Sequence, residues 1–203
     1  MKKLHFISGL TITVFVGLHL FNHCFSILGA AKHIEVMNSL RGIYRNIFVE
    51  SILLSAVATQ IYSGLLLFKT KRHTSNTFFE KLQISTGLYL AIFFVIHLSA
   101  VLSGRFILTL DTNIYFGVAG LNTFPFNLFF IPYYFLAVFS FFGHVSAIHH
   151  QRMNKPILGL SPHKQSIFIL TTGVFFATFL IYGLTNRFQS FQIPSDYNIL
   201  IGK

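Results

Sequence analysis

Charged residues are scarce in this sequence. Only 10% of its 203 residues are Asp, Glu, Lys or Arg, whereas 53% are hydrophobic. A water-soluble domain has about 25% charged residues, which cover its surface. The shortage therefore excludes an ordinary soluble globular protein and predicts a chain that lies within lipid.

Cysteine and acidic residues are also few. Cys24 is the single cysteine and lies inside an apolar run, which excludes a disulfide framework and a cysteine-rich metal site. Fifteen basic residues against five acidic ones give a formal net charge of +10. The basic residues form short clusters between apolar runs, which is typical of membrane topology and not of a nucleic-acid-binding surface.

Five apolar runs are long enough to cross a bilayer. We place them at 6–28, 47–68, 83–104, 128–150 and 166–186, each near the ~20 residues that a transmembrane helix requires. The first run follows Lys2-Lys3 as a signal peptide would, but its length and its two histidines indicate a retained helix. The sequence predicts an all-α, polytopic membrane protein with one domain, 1–203, a core of four helices and a peripheral fifth helix.

The basic residues are unevenly divided between the two sides of this predicted bundle. One side has Lys2, Lys3, Lys69, Lys71, Arg72, Lys81, Arg152, Lys155 and Lys164. The other has Lys32, Arg41, Arg45, Arg105, Arg187 and Lys203. The positive-inside rule then predicts a cytoplasmic N-terminus and an external C-terminus in the cell inner membrane.

Two histidines occupy matching positions in the first and third predicted helices. The helices share a pattern at one constant offset: Ser8-Gly9-Leu10, Phe15 and His19-Leu20 against Thr86-Gly87-Leu88, Phe93 and His97-Leu98. Parallel helices would hold His19 and His97 at one depth, where an imidazole is costly without a function. A haem between two helices needs one neutral imidazole from each, so the pair predicts axial ligands. The alternative is two core histidines bonded to backbone carbonyls.

A second pair of polar residues lies nearer the membrane surface at which the first predicted helix begins. His144 on the fourth helix and Gln60 on the second lie at nearly the same depth. Two histidines there would form another haem site, but a glutamine amide is a poor ligand for haem iron. Two arrangements stay open: a contact between Gln60 and His144 with no haem, or one haem held by His144 alone. Gln60 as a helix-bridging amide and His144 as a buried hydrogen-bonded imidazole are the simpler interpretations.

Three arginines, Arg41, Arg45 and Arg105, lie near the opposite membrane surface. A guanidinium group pairs well with carboxylates, so these residues are candidate partners for haem propionates. Contact with lipid headgroups is the alternative. Glu35 and Glu50 lie on the same side and are candidate proton acceptors.

Five groups of residues follow one another along nearly the whole chain. They are Leu4-His5, Gly9 and His19-Leu20; Glu50 and Gln60-Ile61-Tyr62-Ser63-Gly64; Leu82-Gln83, Thr86-Gly87, Phe93 and His97; His144; and Ser161-Pro162, Gln165 and Phe168. In this order and spacing they resemble the cytochrome b membrane subunit of succinate:menaquinone reductases and fumarate reductases, the five-helix, dihaem type.

The resemblance implies a haem b held by His19 and His97, and a second one between residue 60 and His144. Gln60 stands where the family has histidine, and Ile148 replaces a glycine of the fourth helix, so one haem is favoured and two are the alternative. It also implies a flavoprotein and an iron–sulfur subunit on the cytoplasmic face, with electrons relayed to or from menaquinone. The chain has no flavin or nucleotide motif, so the dicarboxylate chemistry would belong to those partners.

Two functions from other classes stay open. A membrane di-iron oxidase or desaturase is suggested by His19 with His23 and by His144 with His149-His150. Such histidine boxes should converge near one membrane face, whereas His19 and His144 lie at different predicted depths. The other function is that of a haem-free structural subunit. A reducible Soret band would identify the cytochrome, and iron without haem would identify the oxidase.

Overall fold

Seven α-helices make up most of the computed structural model, which describes residues 1–203. They are α1 (Lys2–Cys24), α2 (Ala30–Tyr44), α3 (Ile47–Lys71), α4 (Phe78–Phe106), α5 (Ile114–Val118), α6 (Asn127–Arg152) and α7 (Pro162–Leu184). Short 3-10 helices lie at Phe25–Leu28 after α1, at Gly120–Asn122 after α5 and at Ser195–Ile201 after α7. There is no β-strand, so the predicted all-α class is confirmed.

Five of these helices, α1, α3, α4, α6 and α7, are long and apolar enough to cross a membrane. The predicted multi-pass architecture is confirmed. The largest difference in a boundary is at α4, which begins at Phe78 instead of 83. The Thr77 hydroxyl accepts from the Glu80 N–H, and the Glu80 carboxylate accepts from the Thr77 N–H. This capping box starts the helix about one turn early.

Four of the membrane helices surround a central space, and the fifth packs outside them. α1 packs on α3, α4 packs on α6, and α3 and α4 are neighbours. α7 lies along α6, where a side chain at Gly173 would overlap Phe142 and the Ser146 hydroxyl donates to the carbonyl of Ser166 at 2.6 Å. Small residues permit this close approach. The fifth membrane helix therefore packs along α6, and its last turns border the central space.

The two ends of the bundle are built differently. We call the N-side the end where α1 and α4 begin and where α3 and α6 end, and the C-side the opposite end. Only the short connections 72–77 and 153–161 cross the N-side. α2, α5 and residues 185–203 cover the C-side, and a buried apolar cluster ties them to α7: Ile114, Val118, Leu121, Ile181 and Leu184. The C-side is therefore capped by protein, while the N-side has little cover.

Candidate functional site

Two cavities lie one after the other along the axis of the bundle. The N-side cavity has a volume of about 400 Å³ and the C-side cavity about 320 Å³. Both are bordered by Ile12, Leu90, Phe94 and Phe141, which therefore form the wall between them. Each cavity is largely apolar with a few converging polar side chains, which is the usual composition of a cofactor or ligand site.

His19 and His97 meet in the C-side cavity. The centres of their rings are 6.2 Å apart. One turn earlier on each helix a phenylalanine stacks on the imidazole, Phe15 on His19 at 5.8 Å and Phe93 on His97 at 5.1 Å. The structure thus brings together the two residues that the repeated pattern singled out. Their role as ligands stays a prediction.

A chain of imidazoles leads from His19 toward the C-side cap. His23 Nε2 lies 3.1 Å from His19 Nε2, and His23 Nδ1 lies 3.1 Å from His33 Nε2. Asn22 Nδ2 is 3.2 Å from the same nitrogen of His33. His23 therefore links two other histidines and is not an isolated packed residue. The contact of His33 with His23 could not be predicted from the sequence. α2 lies outside the five apolar runs and reaches His23 only after the chain folds back.

His33 is buried, and it is neutral at pH 7. Burial, with a smaller effect from the nearby Arg41 guanidinium, lowers the pKa of His33 to about 4. Its Nδ1 is buried without a hydrogen-bond partner, as is Oδ1 of Asn22. The end of the imidazole chain therefore has unused hydrogen-bonding capacity next to the C-side cavity.

The three predicted arginines border the C-side cavity. Arg41 forms an ion pair with Asp111 at 2.7 Å, and Arg105 forms one with Glu50. Arg45 has no carboxylate partner and donates to the hydroxyl of a threonine at 2.8 Å. The guanidinium groups outnumber the carboxylates here, so the cavity retains a positive charge. Nη2 of Arg41 is also buried without an acceptor, which suits an additional anionic oxygen.

The two glutamates that were candidate proton acceptors lie in different surroundings. Glu50 borders the C-side cavity and is engaged by Arg105. Glu35 is exposed on α2 and pairs with Lys32 at 2.7 Å. Only Glu50 is close to the candidate site.

His144 and Gln60 both border the N-side cavity, as their similar predicted depths suggested. The Nδ1–H of His144 donates to the carbonyl of Gln83 at 3.1 Å, and the hydroxyl of Thr86 is 3.3 Å from the same nitrogen. Gln60 bonds to α1 instead, accepting from the Ser8 hydroxyl at 2.7 Å. Of the two arrangements that the sequence left open, the contact between Gln60 and His144 is not made by a hydrogen bond.

His5 also borders the N-side cavity, and sequence analysis assigned it no role. Its Nε2 lies 3.2 Å from Nε2 of Gln60, and its Nδ1 lies 2.9 Å from the Ser63 hydroxyl. The repeated pattern contained no signal for it, because the counterpart of His5 on α4 at the same constant offset is Gln83 and not a histidine. His5 therefore joins His144 as a second imidazole in this cavity.

The remaining histidines of α6 do not converge with His144. His149 Nε2 pairs with Oε1 of Gln165 at 2.8 Å, and His150 stacks on Phe79 with ring centres 3.9 Å apart. No three side chains of His, Cys, Asp or Glu are grouped so that they could hold a metal ion. The histidine group of α6, which was one of the two groups that suggested the di-iron oxidase, therefore does not gather around one centre.

Comparisons with protein-family models, with curated proteins and with solved structures found no match. The roles of the two cavities must therefore be inferred from their own residues.

Proposed function

We propose that this protein is a haem b-containing membrane anchor of a succinate dehydrogenase or fumarate reductase complex, which relays electrons between an iron–sulfur subunit and menaquinone. His19 and His97 would hold the haem in the C-side cavity. One observation carries the proposal: two imidazoles from different helices lie 6.2 Å apart inside an apolar cavity. An imidazole in a membrane helix is rare without a function.

The two rings lie close enough that His19 and His97 would together hold one iron ion between them. His19 would exchange its hydrogen bond to His23 for the bond to iron, while His23 keeps its bond to His33. Phe15 and Phe93 hold the two rings in orientation by stacking.

The charge at the C-side end of the cavity also fits haem. Haem is a flat, apolar macrocycle that bears two carboxylates, and it supplies one-electron transfer when bound. Arg45 has no carboxylate partner, and Nη2 of Arg41 has no acceptor. These two donors would receive the propionates, and the apolar walls would exclude water from the ring.

Partner subunits would bind on the N-side, where nine basic residues gather. This surplus supports a cytoplasmic N-side and an external C-terminus in the inner membrane. A flavoprotein and an iron–sulfur subunit would bind through the loops between Lys69 and Lys81 and between Arg152 and Lys164. Cross-linking from these loops should capture an iron–sulfur protein, and a reporter fused after Lys203 should be active only outside the cytoplasm. A cytoplasmic reporter would contradict this orientation.

The absorption spectrum of the purified protein tests the function. We expect a reducible Soret band and an α-band, which His19→Ala and His97→Ala should each abolish at the C-side cavity. The matched control is His73→Ala, because His73 is an exposed histidine in a loop. Wild-type haem content in both ligand variants would contradict the proposal.

A haem-free structural subunit is the second candidate. The observation in its favour is that His19 already has a hydrogen-bond partner in His23, and that His33 extends the chain. Buried polar groups need such partners, so these contacts stabilise the bundle without a cofactor. Protein purified from haem-sufficient cells without any Soret band would support this second candidate.

A further inference from the structure

We propose that the N-side cavity holds a second haem b, for which His5 supplies the axial ligand opposite His144 in place of residue 60. This proposal rests on the proposed function, because it assumes that the chain is a haem protein. It assigns a role to His5 and accounts for the glutamine at position 60.

The contacts around the N-side cavity repeat in the two halves of the bundle. In the first half, α1 presents Ser8 and Gly9 to Gln60 of α3. The Ser8 hydroxyl donates to Gln60 at 2.7 Å, and a Cβ on Gly9 would lie 3.2 Å from Nε2 of Gln60.

In the second half, α4 presents Thr86 and Gly87 to His144 of α6. Thr86 lies 3.3 Å from Nδ1 of His144, and a Cβ on Gly87 would lie 3.1 Å from Cε1 of its ring. Position 60 is therefore the structural counterpart of position 144.

Histidine and glutamine are exchanged between these two halves. The residue that precedes the Ser8-Gly9 pair by one turn is His5, and its counterpart before Thr86-Gly87 is Gln83. The first half thus has histidine on α1 and glutamine on α3, while the second has glutamine on α4 and histidine on α6. Each half contributes one imidazole to the cavity even though position 60 is a glutamine.

The hydrogen bonds assign the proton on His5. The Ser63 hydroxyl donates its proton to the carbonyl of Thr59 at 2.6 Å, so it accepts from Nδ1–H of His5 at 2.9 Å. Nε2 of His5 then accepts from the amide nitrogen of Gln60 at 3.2 Å. His5 is neutral, with a lone pair on Nε2.

His144 has the same proton arrangement. Its Nδ1–H donates to the carbonyl of Gln83, which leaves the lone pair of Nε2 for the cavity. Metal-binding histidines commonly donate one ring N–H to a protein acceptor and bind the metal through the other nitrogen. Both imidazoles of the N-side cavity are therefore held in the tautomer that a metal requires.

The walls and the charge of the N-side cavity indicate the chemical class of ligand that it would bind. Gly9, Gly64 and Gly87 leave room beside the polar side chains. The charged residues that border the cavity are Lys2, Lys71 and Arg152, and no acidic residue is among them. An apolar space with two neutral imidazoles and a basic margin suits a flat, apolar, iron-bearing dianion. His5 would exchange the amide N–H of Gln60 for the iron.

The test is the number of haems per chain in purified full-length protein, measured by pyridine haemochrome assay, with low-spin ferric signals counted by electron paramagnetic resonance. We expect two haems in the wild type and in the control Val14→Ala, which shortens an exposed side chain of α1 that borders neither cavity. His5→Ala and His144→Ala should each retain one, the haem at His19 and His97, which also reports that the variant is folded. The double variant His5→Ala/Gln60→His should regain the second haem, because it restores an imidazole at the counterpart of His144.

Each other outcome has a distinct meaning. One haem in the wild type, or two in His5→Ala, overturns the role of His5 and leaves the haem at His19 and His97 intact. No haem in the wild type overturns the proposed function itself. If His5→Ala loses all haem, the double variant decides: recovery of both haems supports ligation by His5, and continued loss overturns it.

Discussion

The imidazoles of the two cavities differ in their relation to the residue pattern that α1 and α4 share. In the C-side cavity the imidazoles occupy equivalent positions, His19 on α1 and His97 on α4. In the N-side cavity the imidazoles occupy unrelated positions, His5 on α1 and His144 on α6. The repeat therefore predicts the first pair from sequence, while the second pair becomes visible only when the helices are packed.

The partners of the imidazoles differ as well. His144 donates to the backbone carbonyl of Gln83, which a side-chain substitution cannot remove. His19 bonds instead to His23, which bonds to His33 beneath the C-side cap. His19 is therefore linked to α2 through His23 and His33, whereas His144 is bonded to the backbone of α4.

The largest expected effect is a reciprocal loss of the two proposed haems. His97→Ala should lower the affinity of the C-side cavity for haem by more than ~100-fold. Mutation of a residue that only hydrogen-bonds to a metal ligand lowers metal affinity about 10- to 100-fold, and a direct ligand contributes more. His97→Ala should leave the haem that depends on His144 unchanged, and His144→Ala should do the reverse. A redox titration of each variant, followed in the α-band, would show which component disappears. Loss of both components in both variants would contradict two independent sites.

Acidification should weaken the protein cap of the C-side, because His33 is buried there. The pKa of His33 is about 4 in the folded protein and 6.5 in the unfolded chain, so between these values the unfolded chain binds the extra proton. Stability is therefore lost as the pH falls from 6.5 toward 4, by at most about 3 kcal/mol. Thermal unfolding in detergent at pH 7 and pH 5 measures this loss. His33→Gln should unfold with a smaller pH dependence, and an unchanged dependence would contradict the assignment.

The ion pair beside the C-side cavity should contribute less. The side chains of Glu50 and Arg105 are each 21% exposed, so Arg105→Gln should cost about 2 kcal/mol, between the values for exposed and fully buried pairs. Glu50→Gln/Arg105→Gln should recover part of this, since it removes the unpaired carboxylate. The control is Lys32→Gln, which breaks an exposed pair and should change the unfolding free energy little. Equal effects in both pairs would contradict the difference in burial.

The smallest expected effect concerns the glycines of the N-side cavity. Gly87→Ala places a Cβ 3.1 Å from the His144 ring, so the imidazole must shift and haem affinity there should fall by about tenfold. Gly17→Ala is the matched control on α1, because its Cβ would meet nothing within 4 Å. Titration of haem into protein depleted of haem measures both. Equal affinities in the two variants would show that this close approach does not position His144.

The five membrane helices could be predicted from hydropathy alone. In a bilayer every backbone N–H and C=O must be paired within the segment, so a long apolar run such as that of α3 becomes a helix wherever it lies. The boundaries depended on local side chains, and α4 starts early because Thr77 and Glu80 cap it. α2 and α5 could not be placed in this way, because they are amphipathic or short and lie against the C-side only through tertiary contacts.

By itself the sequence determined the class of the protein, its five spans and the pairing of His19 with His97, because apolar length and a repeated pattern are local properties of the chain. Tertiary structure alone decided that Gln60 bonds to Ser8 and His5 and not to His144, and that His33 reaches His23. The physical reason is that a hydrogen bond depends on direction as well as depth. Equal depth in the membrane brings side chains to one level, but the rotation and packing of the helices determine which of them can touch.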